Sequence, residues 1–197
     1  MERQANIQRT TKETDILLEL NLDGRGKADI DTGIPFIDHM LGLMAAHGYM
    51  DVRIAARGDT EIDDHHTVED LGICLGMAIN QALGEKKKGI KRYGQATVPM
   101  DEVLSRVVID ISNRPFLAYR VSLMESKTGK FDVSLIREFF RALVNYAGIT
   151  MHVDVFSGDD AHHIAESIFK AFGRALDQAA GIENRLEGAA ASTKGRM

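Results

Sequence analysis

Four of the chain's seven histidines stand in two near-copies of one stretch. The first reads Asp64-His65-His66-Thr67-Val68-Glu69-Asp70. The second, 97 residues later, reads Ala161-His162-His163-Ile164-Ala165-Glu166-Ser167. Imidazole and carboxylate bind metals and carry protons, so their spacing matters. In a helix, positions i and i+4 share a face, which pairs His65 with Glu69 and His162 with Glu166. The adjacent His66 and His163 point roughly 100° away and more easily reach a different metal. Two ligands per helix, with a third aimed elsewhere, suggest a binuclear site built from both copies. A single such stretch reads more simply as an exposed helix start; a repeat in register argues against that.

Aligning the halves adds two candidates. His39, in Ile37-Asp38-His39-Met40, falls opposite Glu138, in Arg137-Glu138-Phe139-Phe140, at an offset of 99 residues. The candidate ligands are then His39, His65, His66, Glu69, Glu138, His162, His163 and Glu166. Imidazole and carboxylate without thiolate suit Mn, Fe, Co, Ni or Zn. Cys74 is the only cysteine, sits in a predicted helix, and reads as core. Two such metals could polarise a phosphate, activate water, or grip a substrate with two donor atoms; the residues alone do not choose. No glycine turn has nucleotide-binding spacing.

These residues need elements to position them. Thr14 to Leu22 alternates as a half-buried strand. Asp23-Gly24-Arg25-Gly26 turns it into a second strand, Lys27 to Asp31, as a hairpin. Gly33-Ile34-Pro35 opens a helix with Phe36, Met40, Leu43 and Met44 as core stripe, ending at Gly48. A strand from Met50 to Arg57 follows, then the first His-His helix, closing at Gly84. The basic stretch Glu85 to Arg92 joins the halves. Val103 to Ile111 and Phe116 to Met124 read as paired strands around Ser112-Asn113-Arg114-Pro115. Asp132 caps a helix carrying Leu135, Ile136, Phe139, Leu143 and Val144. A strand from Ile149 to Phe156 and the second His-His helix, closing at Gly181, complete the copy.

The fold class is therefore α+β: an internally duplicated unit, strand-strand-helix-strand-helix twice, with sheets packed against helices. The halves are 1–90 and 91–182, in one compact domain, with 183–197 a mobile tail that the resemblance below places over the substrate. With 197 residues, 44% hydrophobic and 27% charged, the chain reads as an ordinary soluble protein. A net charge of −5 argues against nucleic-acid binding and a polybasic membrane anchor. No apolar run reaches spanning length and no leader is visible, so a cytoplasmic location is expected.

The chain closely resembles the imidazoleglycerol-phosphate dehydratase family, over essentially its whole length. The stretches that carry this are Thr11 to Thr14, Gly33 to Met40, Asp63 to Asp70, Ser112 to Pro115, Ala161 to Phe172 and Ser192 to Gly195. The resemblance implies a lyase of histidine biosynthesis, assembled as a shell of 24 subunits, with two Mn²⁺ ions per site between subunits. Some members carry histidine where this chain has Glu138. The implied reaction removes water from imidazoleglycerol phosphate to give imidazole-acetol phosphate. Binding of both ring nitrogens to metals would leave an imidazolate able to expel the neighbouring hydroxyl. Glu13 is then the acid/base candidate. The same resemblance implies that His47 lies near the substrate, that Arg92, Arg114, Lys170, Ser192 and Lys194 form the phosphate grip, and that Thr193 is among the substrate-binding residues. His152 has no role. A di-metal phosphatase and a metal-stapled oligomer without turnover are the alternatives.

Overall fold

The computed structural model describes residues 3–84, 88–124 and 126–194. Its first half comprises β1 (Gln4–Thr10), β2 (Thr14–Asn21), β3 (Ala28–Asp31), α1 (Pro35–Gly48), β4 (Asp51–Gly58) and α2 (His65–Leu83). The second comprises β5 (Tyr93–Met100), β6 (Val103–Asp110), β7 (Phe116–Arg120), a small hairpin β8 (Lys127–Thr128) and β9 (Phe131–Asp132), α3 (Leu135–Ala147), β10 (Thr150–Ser157) and α4 (Ala161–Ala180). The duplication is visible in the sheets. Their orders, β1-β2-β4-β3 and β5-β6-β10-β7, are the same topology twice. This is the α+β class expected from the sequence, with one extra strand, β1 or β5, opening each half. Glu85 of the expected connecting stretch and Gly195 of the tail motif lie outside the described residues.

Two expected pairings are corrected. β3 does not fold back on β2; it runs parallel to β4, Ala28 opposite Val52. Likewise β7 runs parallel to β10, Phe116 opposite Thr150, and not against β6. A strand has two edges, and both edges of β2 are taken, by β1 and by β4. β3 and β7 therefore reach their sheets through a helix crossover, as parallel neighbours must. The Asp51 carboxylate holds the connection before β3, accepting from the backbone N–H of Arg25 at 2.8 Å and of Lys27 at 2.9 Å.

The helices meet across the halves: α1 packs on α4, and α2 on α3. Glycines let these backbones touch. A Cβ on Gly173 would stand 2.4 Å from the Met44 carbonyl oxygen and 2.9 Å from the Gly48 nitrogen. One on Gly72 would stand 2.4 Å from the Phe139 carbonyl oxygen. Contacts this close leave little freedom to slide. Phe139, Phe140, Phe169 and Phe172, all fully buried, lock α3 to α4 with ring centroids 4.9 to 5.5 Å apart.

The α1 stripe is also corrected. Ile37, Met40, Leu41 and Met44 are fully buried, while Phe36 and Leu43 lie at its rim. The helix is packed on two sides, by α4 and by β3, so the stripe shifts toward Ile37. Asp132 is not the N-cap of α3; Ser134 is, and Asp132 accepts from its N–H at 2.9 Å. Cys74 is buried, and desolvation pushes its thiol up to about 12. Among the described residues, no helix is long and apolar enough to cross a membrane.

Candidate metal centre

Asp160 caps α4, its carboxylate accepting from the backbone N–H of His162 at 2.8 Å and His163 at 3.0 Å. That fixes the first turn and with it both imidazoles. One turn on, Glu166 Oε1 lies 3.2 Å from His162 Nε2. The same oxygen lies 2.8 Å from His39 Nε2, delivered by α1 from the other half. One donor atom from each of the three residues lies within 4.8 Å of the others. Phe36 sets its edge against the His162 ring at 5.5 Å and stacks on Phe131 at 4.8 Å, backing the cluster with apolar surface.

Glu166 is buried. Burial alone would raise its pKa, but Lys170, donating to Oε2 at 2.6 Å, and the two imidazoles more than reverse this and hold it at about 2. The carboxylate is therefore charged, with Oε1 facing two imidazoles. That donor set, nitrogen and oxygen without sulfur, fits a divalent first-row cation.

The candidates on α2 and α3 are not gathered in this way: among the described residues, His65, Glu69 and Glu138 form no three-donor group of metal-binding spacing. His65 Nε2 stands 3.8 Å from Glu69 Oε2. Glu138 enters from α3, but an Arg141 nitrogen binds its Oε2 at 2.5 Å and also lies 3.5 Å from Glu69 Oε1.

His66 and His163 turn away from these groups. His66 Nδ1 lies 2.9 Å from Asp59 Oδ2, and His163 Nδ1 3.0 Å from Glu102 Oε2. Each carboxylate raises its partner's pKa and orients the ring, as carboxylates behind metal-binding histidines do. Asp101 Oδ2 stands 4.0 Å from His163 Nε2. Sequence reasoning missed both orienting residues. Glu102 sits in the β5–β6 turn as Glu13 sits in the β1–β2 turn, an equivalence legible only once those edge strands are known.

Glu13 is exposed, on a turn tied to the His-His helix. Its N–H donates to Thr11 Oγ1 at 3.0 Å, and its carbonyl accepts from the Asp59 N–H at 3.1 Å. Thr14, next along, donates to the buried Asp70 carboxylate of α2 at 2.5 Å, and Arg9 donates to the other oxygen at 3.0 Å. Glu13 thus shares a scaffold with His66, through Asp59.

The expected phosphate grip divides. Arg92 and Arg114 both reach Asp110, at 2.7 and 3.5 Å. Arg92 also donates to the Ala191 carbonyl at 2.7 Å. It does so with a left-handed backbone, φ 74°. The tail folds back along this end, where Glu183 N–H donates to Gly89 and Gly89 N–H to Ala189. Lys194 N–H donates to Ser192 Oγ at 3.2 Å, and Thr193 is exposed. Lys170 instead belongs with the metal-type ligands, through Glu166. His47, in the last turn of α1, faces a cleft with Gln95, Arg174 and Gln178; burial and then the charges of Lys170 and Arg174 lower its pKa. His152 lies beside Arg120 at 3.4 Å, away from both groups.

Distance along α4 separates these groups. Arg92 is anchored at Ala179, its N–H donating to that carbonyl, whereas His162 begins the helix. Seventeen residues at the helical rise place them roughly 25 Å apart. One chain does not bring its arginine pair and its histidine cluster onto one small substrate.

Comparison with known proteins places the chain in a family. The family profile described as Imidazoleglycerol-phosphate dehydratase matches residues 32–176. The dehydratase of Geobacter sulfurreducens is 57% identical over 197 residues, covering 100% of both chains. That of Aromatoleum aromaticum is 57% identical over 195 residues, covering 99% of this chain and 100% of the relative. The crystal structure of the Staphylococcus aureus enzyme matches with a TM-score of 0.82 at 41% identity, covering 91% of this chain and 99% of that one. The Pyrococcus furiosus structure, in complex with (S)-C348, matches with a TM-score of 0.83 at 40% identity, covering 97% and 100%. In sequence over its full length and in fold, the chain belongs to the imidazoleglycerol-phosphate dehydratase family.

Proposed function

We propose that this chain works with two Mn²⁺ ions per active site, each site completed between subunits of a 24-subunit shell located in the cytoplasm. The reaction follows from family membership. The chain is a hydro-lyase that converts imidazoleglycerol phosphate to imidazole-acetol phosphate and water in histidine biosynthesis. Loss of water is a different outcome from ester hydrolysis, and the family gives the phosphatase alternative no support.

The observation that carries the site reading is the convergence of His39, His162 and Glu166 from opposite halves. These three hold one cation; His65, Glu69 and Glu138 hold the other. His66 and His163, with Nδ1 occupied by Asp59 and Glu102, would use Nε2 to complete sites on neighbouring subunits. When bound, the cations supply Lewis acidity that makes a ring nitrogen easier to deprotonate. The chain's own groups do the rest. Lys170 keeps Glu166 ionised, and Glu13 moves the proton on the carbon adjacent to the one that loses its hydroxyl. Arg92 and Arg114 of one subunit, aligned by Asp110, bind the phosphate with Ser192, Thr193 and Lys194, the subunit that supplies Glu166 adds Lys170, and His47 lies beside the substrate. The tail covers the bound substrate.

Chelation tests this reading, because ligands contributed by different subunits link metal binding to assembly. Stripped protein should sediment as a lighter species and form no imidazole-acetol phosphate; added Mn²⁺ should restore both. Stripped protein that keeps its mass would break the link, and release of inorganic phosphate would revive the phosphatase.

A further inference from the structure

The two metal sites are related by the internal repeat, yet they are not chemically equal. Where the first half carries His39 and, three residues on, Gly42, the second carries Glu138 and Arg141 at the same 99-residue offset. The exchange of histidine for glutamate adds a negative charge to a ligand position. The exchange of glycine for arginine adds a positive charge one turn away. Position decides what that charge does. An Arg141 nitrogen lies 2.5 Å from Glu138 Oε2 and 3.5 Å from Glu69 Oε1, so it stands between two would-be ligands. In the other site, Lys170 binds the far oxygen of Glu166 at 2.6 Å and leaves Oε1 open to both imidazoles. Among the described residues, only His39, His162 and Glu166 form a three-donor group of metal-binding spacing.

We propose that Arg141 is a resident counter-ion of the Glu69–Glu138 site, one that an incoming divalent cation must displace. It makes this site the weaker and later-filled of the two. The inference rests on the two-site reading above. The side chain is 54% exposed, so it can swing into water when a cation arrives. Loading then costs the exchange of two arginine–carboxylate contacts plus residual repulsion between guanidinium and metal. Salt weakens those contacts and narrows the difference between the sites.

The test is calorimetric titration of the whole, metal-stripped protein with Mn²⁺, with bound ions counted by electron paramagnetic resonance. Wild type should fill in two steps, one ion per chain in each. Arg141→Met should tighten the second step about tenfold, or 1.4 kcal/mol, and leave the first unchanged. Arg141→Lys should stay near wild type, and circular dichroism should be the same for all three. Two ions with an unshifted or weakened second step in Arg141→Met would mean that the arginine merely supports Glu138, overturning the proposal alone. One ion per chain in every variant would overturn the two-site reading and this inference with it.

Discussion

Replacing Glu13 with glutamine should lower kcat at least about a hundredfold, the usual contribution of a positioned acid/base. The turn that carries Glu13 is held by Thr11, Thr14 and Asp70 through backbone and hydroxyl groups. The carboxylate itself does none of that holding. Loss of its charge should therefore spare fold, metal content and sedimentation, so the defect should sit in kcat. Near-normal turnover in Glu13→Gln would transfer proton movement to another group.

Deletion from Ala191 onward should have a comparably large effect, by another route. It removes Ser192, Thr193 and Lys194 and the carbonyl that Arg92 holds at 2.7 Å. Charge-assisted hydrogen bonds contribute about 1.5–3 kcal/mol each. Loss of two from the bound phosphate should reduce kcat/KM by at least about a hundredfold. The tail's remaining ties, at Gly89 and Ile90, lie before the cut, so metal content and assembly should persist. Hydrogen exchange at 188–194 in the intact enzyme should slow when a phosphate-bearing inhibitor binds. Normal turnover by the truncated enzyme would reduce the tail to an idle end.

What the sequence revealed, and what it hid, follows from how each feature is encoded. The repeat was legible because its signal is local: two His-His stretches at helix starts, closed by glycines. The edge strands β1 and β5 were not, because an edge strand buries little. Gln4–Thr10 buries only Ala5 and Ile7, and Tyr93–Met100 carries Pro99, which reads against a strand. Without β1 and β5, the sequence pattern leaves β2 and β6 one free edge each, and that is what suggests hairpins with β3 and β7. The pairing of His39 with Glu166 spans 127 residues and depends on α1 crossing α4 at Gly48 and Gly173. No local pattern encodes such a crossing. Orienting groups such as Asp59, Glu102 and Asp110 were missed because a carboxylate behind a histidine or arginine looks, in sequence, like any surface charge.

The length of α4 has a genetic consequence. Because Arg92 and His162 stand at opposite ends of that helix, a variant lacking one retains the other's end intact. If each site joins the arginine end of one chain to the histidine end of another, as proposed above, then a pair of dead proteins, Arg92→Ala and His162→Ala, should cure each other when unfolded together and co-refolded into mixed oligomers. Chance pairing of two chains per site leaves about a quarter of the sites with both ends sound. Neither variant refolded alone should gain anything. Alleles of these two classes should complement in one cell, whereas two alleles from the same end should not.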